Sequence, residues 1–248
     1  MIHYHGTPFS GRDHLALSMR HACISFAAPE VLSVAAELCQ SFILDNGAFS
    51  AWRRGTALDV PGFSEWARQW YRHPGFDWLL MPDVIDGSAD DNAAMRAKWY
   101  TVAPDLWSVS VPVWHLSEPL EVLSGFVHGF GRVAIGSSGE YAKIGTPEWW
   151  HRMGEAMAVA CDSDGRPYAK LHGLRMLDPR VFSCFPFSSA DSTNVARNIG
   201  IDKAWERSPY APASLHTRAL VMMERIERHA SAARWTARES FTNDDLFG

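Results

Sequence analysis

A chain of 248 residues with 47% hydrophobic content is long enough to bury a full core, either as one α/β barrel or as two small domains. Its formal net charge of −5 excludes a broadly basic nucleic-acid-binding surface and leaves room only for a local arginine-lined groove. The cysteines Cys23, Cys39, Cys161 and Cys184 lie far apart with no CxxC pair, which signals neither a zinc knuckle nor a disulfide framework and fits a reduced, intracellular setting.

Short apolar runs that break into polar or glycine residues alternate along the chain with segments of helical spacing. Ile2-His-Tyr-His5 reads as a first strand, followed by a helix over Asp13 to Arg20. Ala22 to Phe26 is a second strand, and a helix from about Pro29 to Gln40 leads to a third strand, Phe42 to Asp45. Phe63 to His73 is amphipathic, Trp78 to Met81 is the fourth strand, and Asp90 to Tyr100 is helical. Ser110 to His115 is the fifth strand, with a short helix over Leu120 to Val127. Arg132 to Ile135 is the sixth, and Pro147 to Ala160 is a clear helix. Tyr168 to His172 is the seventh strand and Val181 to Phe187 the eighth, with a short helix start at Asp178-Pro179 between them. A last helix, about Ala213 to Ala230, closes the chain.

Eight strands separated by helices predict a single-domain (β/α)8 TIM barrel over residues 1–235, with a polar, mobile tail over 236–248. Trp66, Trp70, Trp149 and Trp150 sit on the helical segments and are expected to pack helices onto the sheet. There is no basic segment followed by an apolar run and no stretch of eighteen apolar residues, so the expectation is a cytoplasmic protein with no membrane contact.

In such a barrel the reactive groups collect at the C-terminal strand ends. Those exits carry His5, an unremarkable second exit, Asp45, Asp83 with Asp86, His115, the loop Gly136-Ser137-Ser138-Gly139-Glu140, His172-Gly173 and Asp191. Each has a bland alternative, because a strand-end aspartate commonly caps a helix or closes an Asx-turn. Two carboxylates opposed across a pocket suit chemistry at an anomeric carbon, with Asp191 as nucleophile and Asp45 as its partner. The Gly136 to Gly139 loop offers backbone N–H groups to a ligand. Arg175 and Arg197 could hold phosphates or pair with surface acids.

The ordered set resembles the tRNA-guanine transglycosylase superfamily, including relatives that insert deazaguanine bases into DNA. Leu44-Asp45-Asn46-Gly47-Ala48-Phe49 is similar to that family's general-base segment, and Met81-Pro-Asp83 to its guanine-reading segment. Val133 to Glu140 is similar to its Gly-Gly loop, Leu171-His172-Gly173-Leu174 to its Leu-Met-Gly-Val strand, and Ser189-Ala-Asp191-Ser192 to its nucleophile segment. His115 falls where the family places a polar base reader. The family's cysteine-rich zinc motif is absent.

The resemblance implies exchange of guanine for a 7-deazaguanine-type base in nucleic acid, DNA as readily as tRNA. It would proceed by double displacement through an aspartyl-glycosyl intermediate on Asp191, with Asp45 as base. It implies that Asp83, His115, Asn46, the Gly136 to Gly139 loop, His172, Gly173 and Arg175 contact substrate. It further implies a nucleic acid or nucleoside and a free purine-like base as partners, a homodimer, and no metal or cofactor. Two rivals stand beside it. One is a metal-dependent hydrolase of the amidohydrolase type, built on the His3-Tyr-His5 motif with His115, His172 and Asp191. The other is a barrel that binds a base or nucleotide without turnover.

Overall fold

The apolar runs of the sequence become parallel strands that close into a ring. In the computed structural model, which describes residues 1–7, 13–201, 205 and 211–237, the first strands are β1 (Ile2–Gly6), β2 (His21–Ser25), β3 (Ser41–Asp45), β4 (Phe76–Leu80) and β5 (Ser110–Val111). They are followed by β6 (Val113–His115), β7 (Arg132–Gly136), β8 (Lys170–Gly173) and β9 (Phe187–Ser192). Neighbours follow the order β5-β4-β3-β2-β1-β9-β8-β7-β6, and all these pairings are parallel. The two ends of that series, β5 and β6, are consecutive in the chain and parted only by Pro112. Taken as one strand they close the (β/α)8 TIM barrel expected from the sequence. Proline has no N–H and so interrupts the ladder, but its carbonyl accepts the Ala134 N–H at 3.0 Å and keeps the seam bonded.

Helices α1 (Val31–Leu38), α2 (Ala48–Arg53), α3 (Val60–Trp70), α4 (Ala89–Val102), α5 (Leu120–Gly129) and α6 (Pro147–Ala160) cover the outside, with α7 (Pro179–Phe182), α8 (Asn194–Asn198) and α9 (Leu215–Glu227) near the end of the chain. Their starts are written locally. Asp59 accepts from Gly62 N ahead of α3, Ser88 and Asp91 form a reciprocal capping box at α4, and Thr146 accepts from Trp149 N where Pro147 opens α6.

Strand alternation divides the core in two. Tyr4, Cys23, Ile43, Trp78, Leu80, Val111, Val113 and Ala134 fill the barrel interior. The larger cluster lies between sheet and helices and buries Trp66, Trp149 and Trp150, with Trp70 only partly covered. Among the described residues no helix is long and apolar enough to cross a membrane.

The last strand is displaced from its expected place. Val181 and Phe182 end α7, and the strand begins at Phe187 and runs to Ser192. The apolar run Val181 to Phe187 misled because Asp178 caps a helix there and Pro186 removes a donor, while Ser189 and Asp191 face inward despite being polar. Asp191 therefore belongs to the strand itself. The short helices α2 and α8 span too few residues to show a 3.6-residue pattern and were not expected. The predicted tail lies outside the described residues from position 238 onward.

Candidate active site

Alternation that places Ile43 inside the barrel also points Asp45, two residues on, into its C-terminal mouth, and the same parity brings in Ser25, His115, Gly136 and Asp191 from their strands. A cavity of about 210 Å³ opens there, and Asp45, Asn46, Asp83, His115, Gly136, Ser137, Ser138, Arg175 and Asp191 all line it. His172, Gly173 and Gly139 do not. His172 is fully buried beneath Asp191, and its Nδ1 bonds the Ser189 hydroxyl at 2.9 Å. Gly139 opens outward, where an added Cβ would meet nothing.

The site alters the acidity of Asp45. Burial, followed by the charges of Asp191 and then Asp83, pushes its carboxyl up to about 6, against hydrogen bonds from Ser25 and the Gly47 N–H that favour the anion. Gly47, at φ 78°, takes a left-handed conformation suited to glycine and turns the chain from β3 into α2.

Asp191 is held from two sides. Its Oδ1 accepts the Arg175 N–H at 3.0 Å, and its main-chain carbonyl accepts the Leu177 N–H at 3.0 Å. Arg175 adopts φ 61°, a left-handed conformation that costs a non-glycine residue roughly 1–2 kcal/mol. The hydrogen bond to a carboxylate offsets that cost. His172 Nε2 lies 3.3 Å from Asp191 Oδ1 without a well-formed hydrogen bond, and burial pushes the pKa of this imidazole down against the pull of Asp191. The Cys23 thiol also faces Asp191 and is driven well above the usual thiol range by burial, then by the charges of Asp191 and Asp45.

The opposite wall is a connected polar set. Asp83 takes the Asn46 amide at 2.8 Å on one oxygen and His115 Nε2 at 2.8 Å on the other, and His115 Nδ1 meets the Ser138 hydroxyl at 3.1 Å. Burial lowers the His115 pKa, but the hydrogen bond and charge of Asp83, with Glu118 and Asp86, outweigh it and raise the value. Gly136 makes room for this ring, since a Cβ there would stand 3.0 Å from His115 Nδ1. Asn46 is fixed in turn by donating to Met81 O at 2.7 Å and accepting from Ala48 N at 2.7 Å.

The second exit is not unremarkable: Ser25 and Cys23 both line the cavity, and Thr7, Phe49, Thr193 and Arg197 join them. The signal available in the sequence was parity, because Cys23 and Ser25 alternate with the apolar Ala22 and Ile24. The His3-Tyr-His5 motif, by contrast, faces the helical layer. His3 Nε2 meets His229 O at 3.0 Å and His5 Nε2 meets Glu227 at 2.9 Å, while Tyr4 points inward. The histidine cluster expected for a metal-dependent hydrolase is therefore not assembled. Among the described residues no group of three or more His, Cys, Asp or Glu is placed to hold a metal ion.

No protein-family model matches the sequence, and no curated protein is similar to it. Solved structures do share its architecture. A Coccidioides immitis protein assigned as a fructose-1,6-biphosphate aldolase superposes with a TM-score of 0.55 at 14% identity, over 91% of this chain and 91% of that one. A mutant tryptophan synthase α-subunit from Pyrococcus furiosus gives 0.50 at 13% identity, over 90% of this chain and 97% of that one. The likeness is one of fold. The expected membership of the tRNA-guanine transglycosylase superfamily is overturned: the two solved structures above that share this barrel are described as an aldolase and a synthase subunit, and no family model matches the sequence. Guanine exchange, deazaguanine insertion and the aspartyl-glycosyl intermediate fall with it. The motifs that suggested the family are short runs of Asp, Gly and His at strand ends, which the architecture itself favours whatever the chemistry.

Proposed function

We propose that this protein is an enzyme that moves protons on a small polar substrate held in the mouth of the barrel, with Asp45 as the acid–base group. One observation carries the reading: a carboxyl raised to about 6 stands across a cavity from a second carboxyl, at the strand ends where barrel enzymes keep their reactive groups. A group with that value is mostly ionised at about pH 7 yet gives up its proton far less readily than an ordinary carboxyl, so it can take a proton from a substrate and return it. Asp191, oriented by the Arg175 N–H, supplies the opposing carboxyl and fixes the substrate relative to Asp45. His115, Asp83, Asn46 and Ser138 form a pre-oriented wall of donors and acceptors whose hydrogen bonds to one another limit how it can shift. The cavity of about 210 Å³ suits a compact ligand.

The test is exchange of substrate C–H for deuterium, followed by proton NMR in D2O over a panel of small carbonyl and hydroxy compounds. The wild-type protein is expected to exchange at least one of them, with a pH–rate limb near 6. Asp45→Asn is expected to slow that exchange by roughly 10²–10⁴. A folded wild-type protein that exchanges no compound, or an Asp45→Asn variant as fast as the parent, would remove the assignment.

A further inference from the structure

A second cavity, of about 560 Å³, adjoins the barrel mouth, and the two share Arg175, Thr193 and Arg197 in their walls. We propose that this second cavity is an anion subsite in which Arg175 and Arg197 hold a phosphate-type group on the substrate whose reacting end lies between Asp45 and Asp191. The proposal deepens the acid–base reading and rests on it only for what occupies the mouth.

The arginines sit where the local structure sends them. Arg175 is the residue with the left-handed backbone, and that conformation lets its N–H serve Asp191 while its guanidinium lies 5.1 Å above the Phe49 ring, at the junction of the two cavities. Arg197 comes from α8, close enough that its charge and that of Arg175 oppose each other. No carboxylate pairs with Arg197 among the described residues. The remaining charges in the wall cancel, since Arg180 holds Asp178 through Nη2 at 2.7 Å and Nε at 3.2 Å. Two adjacent cations, neither in an ion pair among the described residues although Asp191 attracts Arg175, stand beside Thr193, Asn194 and Asn198, whose amide donates to Asn194 Oδ1, and make a cationic, polar recess. A tetrahedral oxyanion, with three oxygens able to accept at once, matches that recess better than a carboxylate with two. The arrangement gives the substrate two ends: a proton-exchanging part in the mouth and an anionic arm reaching past Arg175.

Titration with inorganic phosphate at constant ionic strength, read by phosphorus NMR line width and by tryptophan fluorescence from Trp150 in the cavity wall, tests this directly. Saturable binding is expected for the wild-type protein. Arg197→Gln is expected to weaken it roughly tenfold or more, Arg175→Gln by a similar factor, and Arg197→Lys by less. Asp45→Asn should not weaken it. No saturation in the wild-type protein, or phosphate held equally by a folded Arg197→Gln variant, would overturn the subsite. If the arginine-dependent binding holds while no compound undergoes exchange, the subsite stands and the acid–base reading alone fails.

Discussion

Asp45 binds its proton more tightly in the folded protein, up to about 6, than at its ordinary value of 3.8. Below pH 3.8 both states are protonated and the group has no effect on stability. As pH rises towards 6 the unfolded chain ionises first and stability falls, and above 6 the full penalty persists. The shift corresponds to about 2–3 kcal/mol, which solvent reaching the mouth reduces to about 1–2 kcal/mol. Asp45→Asn is therefore expected to melt several degrees above the parent at about pH 8 and close to it at about pH 3, and an offset that is the same at both pH values would refute this. His115 reinforces the trend: its raised pKa gives stability that is full below its ordinary 6.5 and is lost as pH climbs through the raised value. Asp45 and Asp191 could be picked out in the sequence because a carboxylate ending an apolar run stands out. Ser25 and Cys23 carried only the weaker signal of parity, since their importance comes from facing Asp45 and Asp191, which other strands bring to the same mouth.

The loop after β6 owes its position to α6. Arg152 donates through Nε to Leu116 O at 2.8 Å and through Nη2 to Glu118 O at 2.7 Å, while its guanidinium lies 5.7 Å from the Trp114 ring centroid. Glu118 Oε2 accepts in turn from the His115 N–H, at 3.4 Å. Arg152→Met would keep the stem packing but leave two carbonyls without their donor, at a cost of about 2–4 kcal/mol. The expected outcome is a lower melting temperature with faster amide exchange over residues 115–118, and unchanged protection there would show that α6 does not hold this loop. At this scale the long elements were legible because their starts carry caps and their faces carry a 3.6-residue pattern. The six-residue α2 and five-residue α8 were not, and they bring Phe49 and Arg197 to the cavities. The last strand was read too early because its inward face is polar, whereas an apolar run was taken as its mark.

Across the whole molecule the alternation of strand and helix was enough to reach the barrel, whereas kinship was not. A barrel brings residues from many strands to one rim, and any polar rim, read motif by motif in order, looks like some known rim. The ring has a further consequence, for how this protein behaves in company. An open sheet ends in two strands with bare N–H and C=O groups, a template for pairing with other chains. Here β1 to β4 and β7 to β9 are paired on both sides, β5 with β4 and β6 with β7 share the remaining place as one strand, and the hand-over between them falls on the buried Pro112, which has no N–H to leave bare. Replacing it by alanine would add a donor where the ladder changes partners, at a cost of about 1–3 kcal/mol if it stays unsatisfied. Pro112→Ala is expected to lower the melting temperature and to speed aggregation near it in light-scattering scans, relative to a surface variant of equal stability. A Pro112→Ala protein that matches that control would mean the proline guards nothing. Among the described residues the ring thus puts a proline where an open sheet would need charged residues posted along its edge.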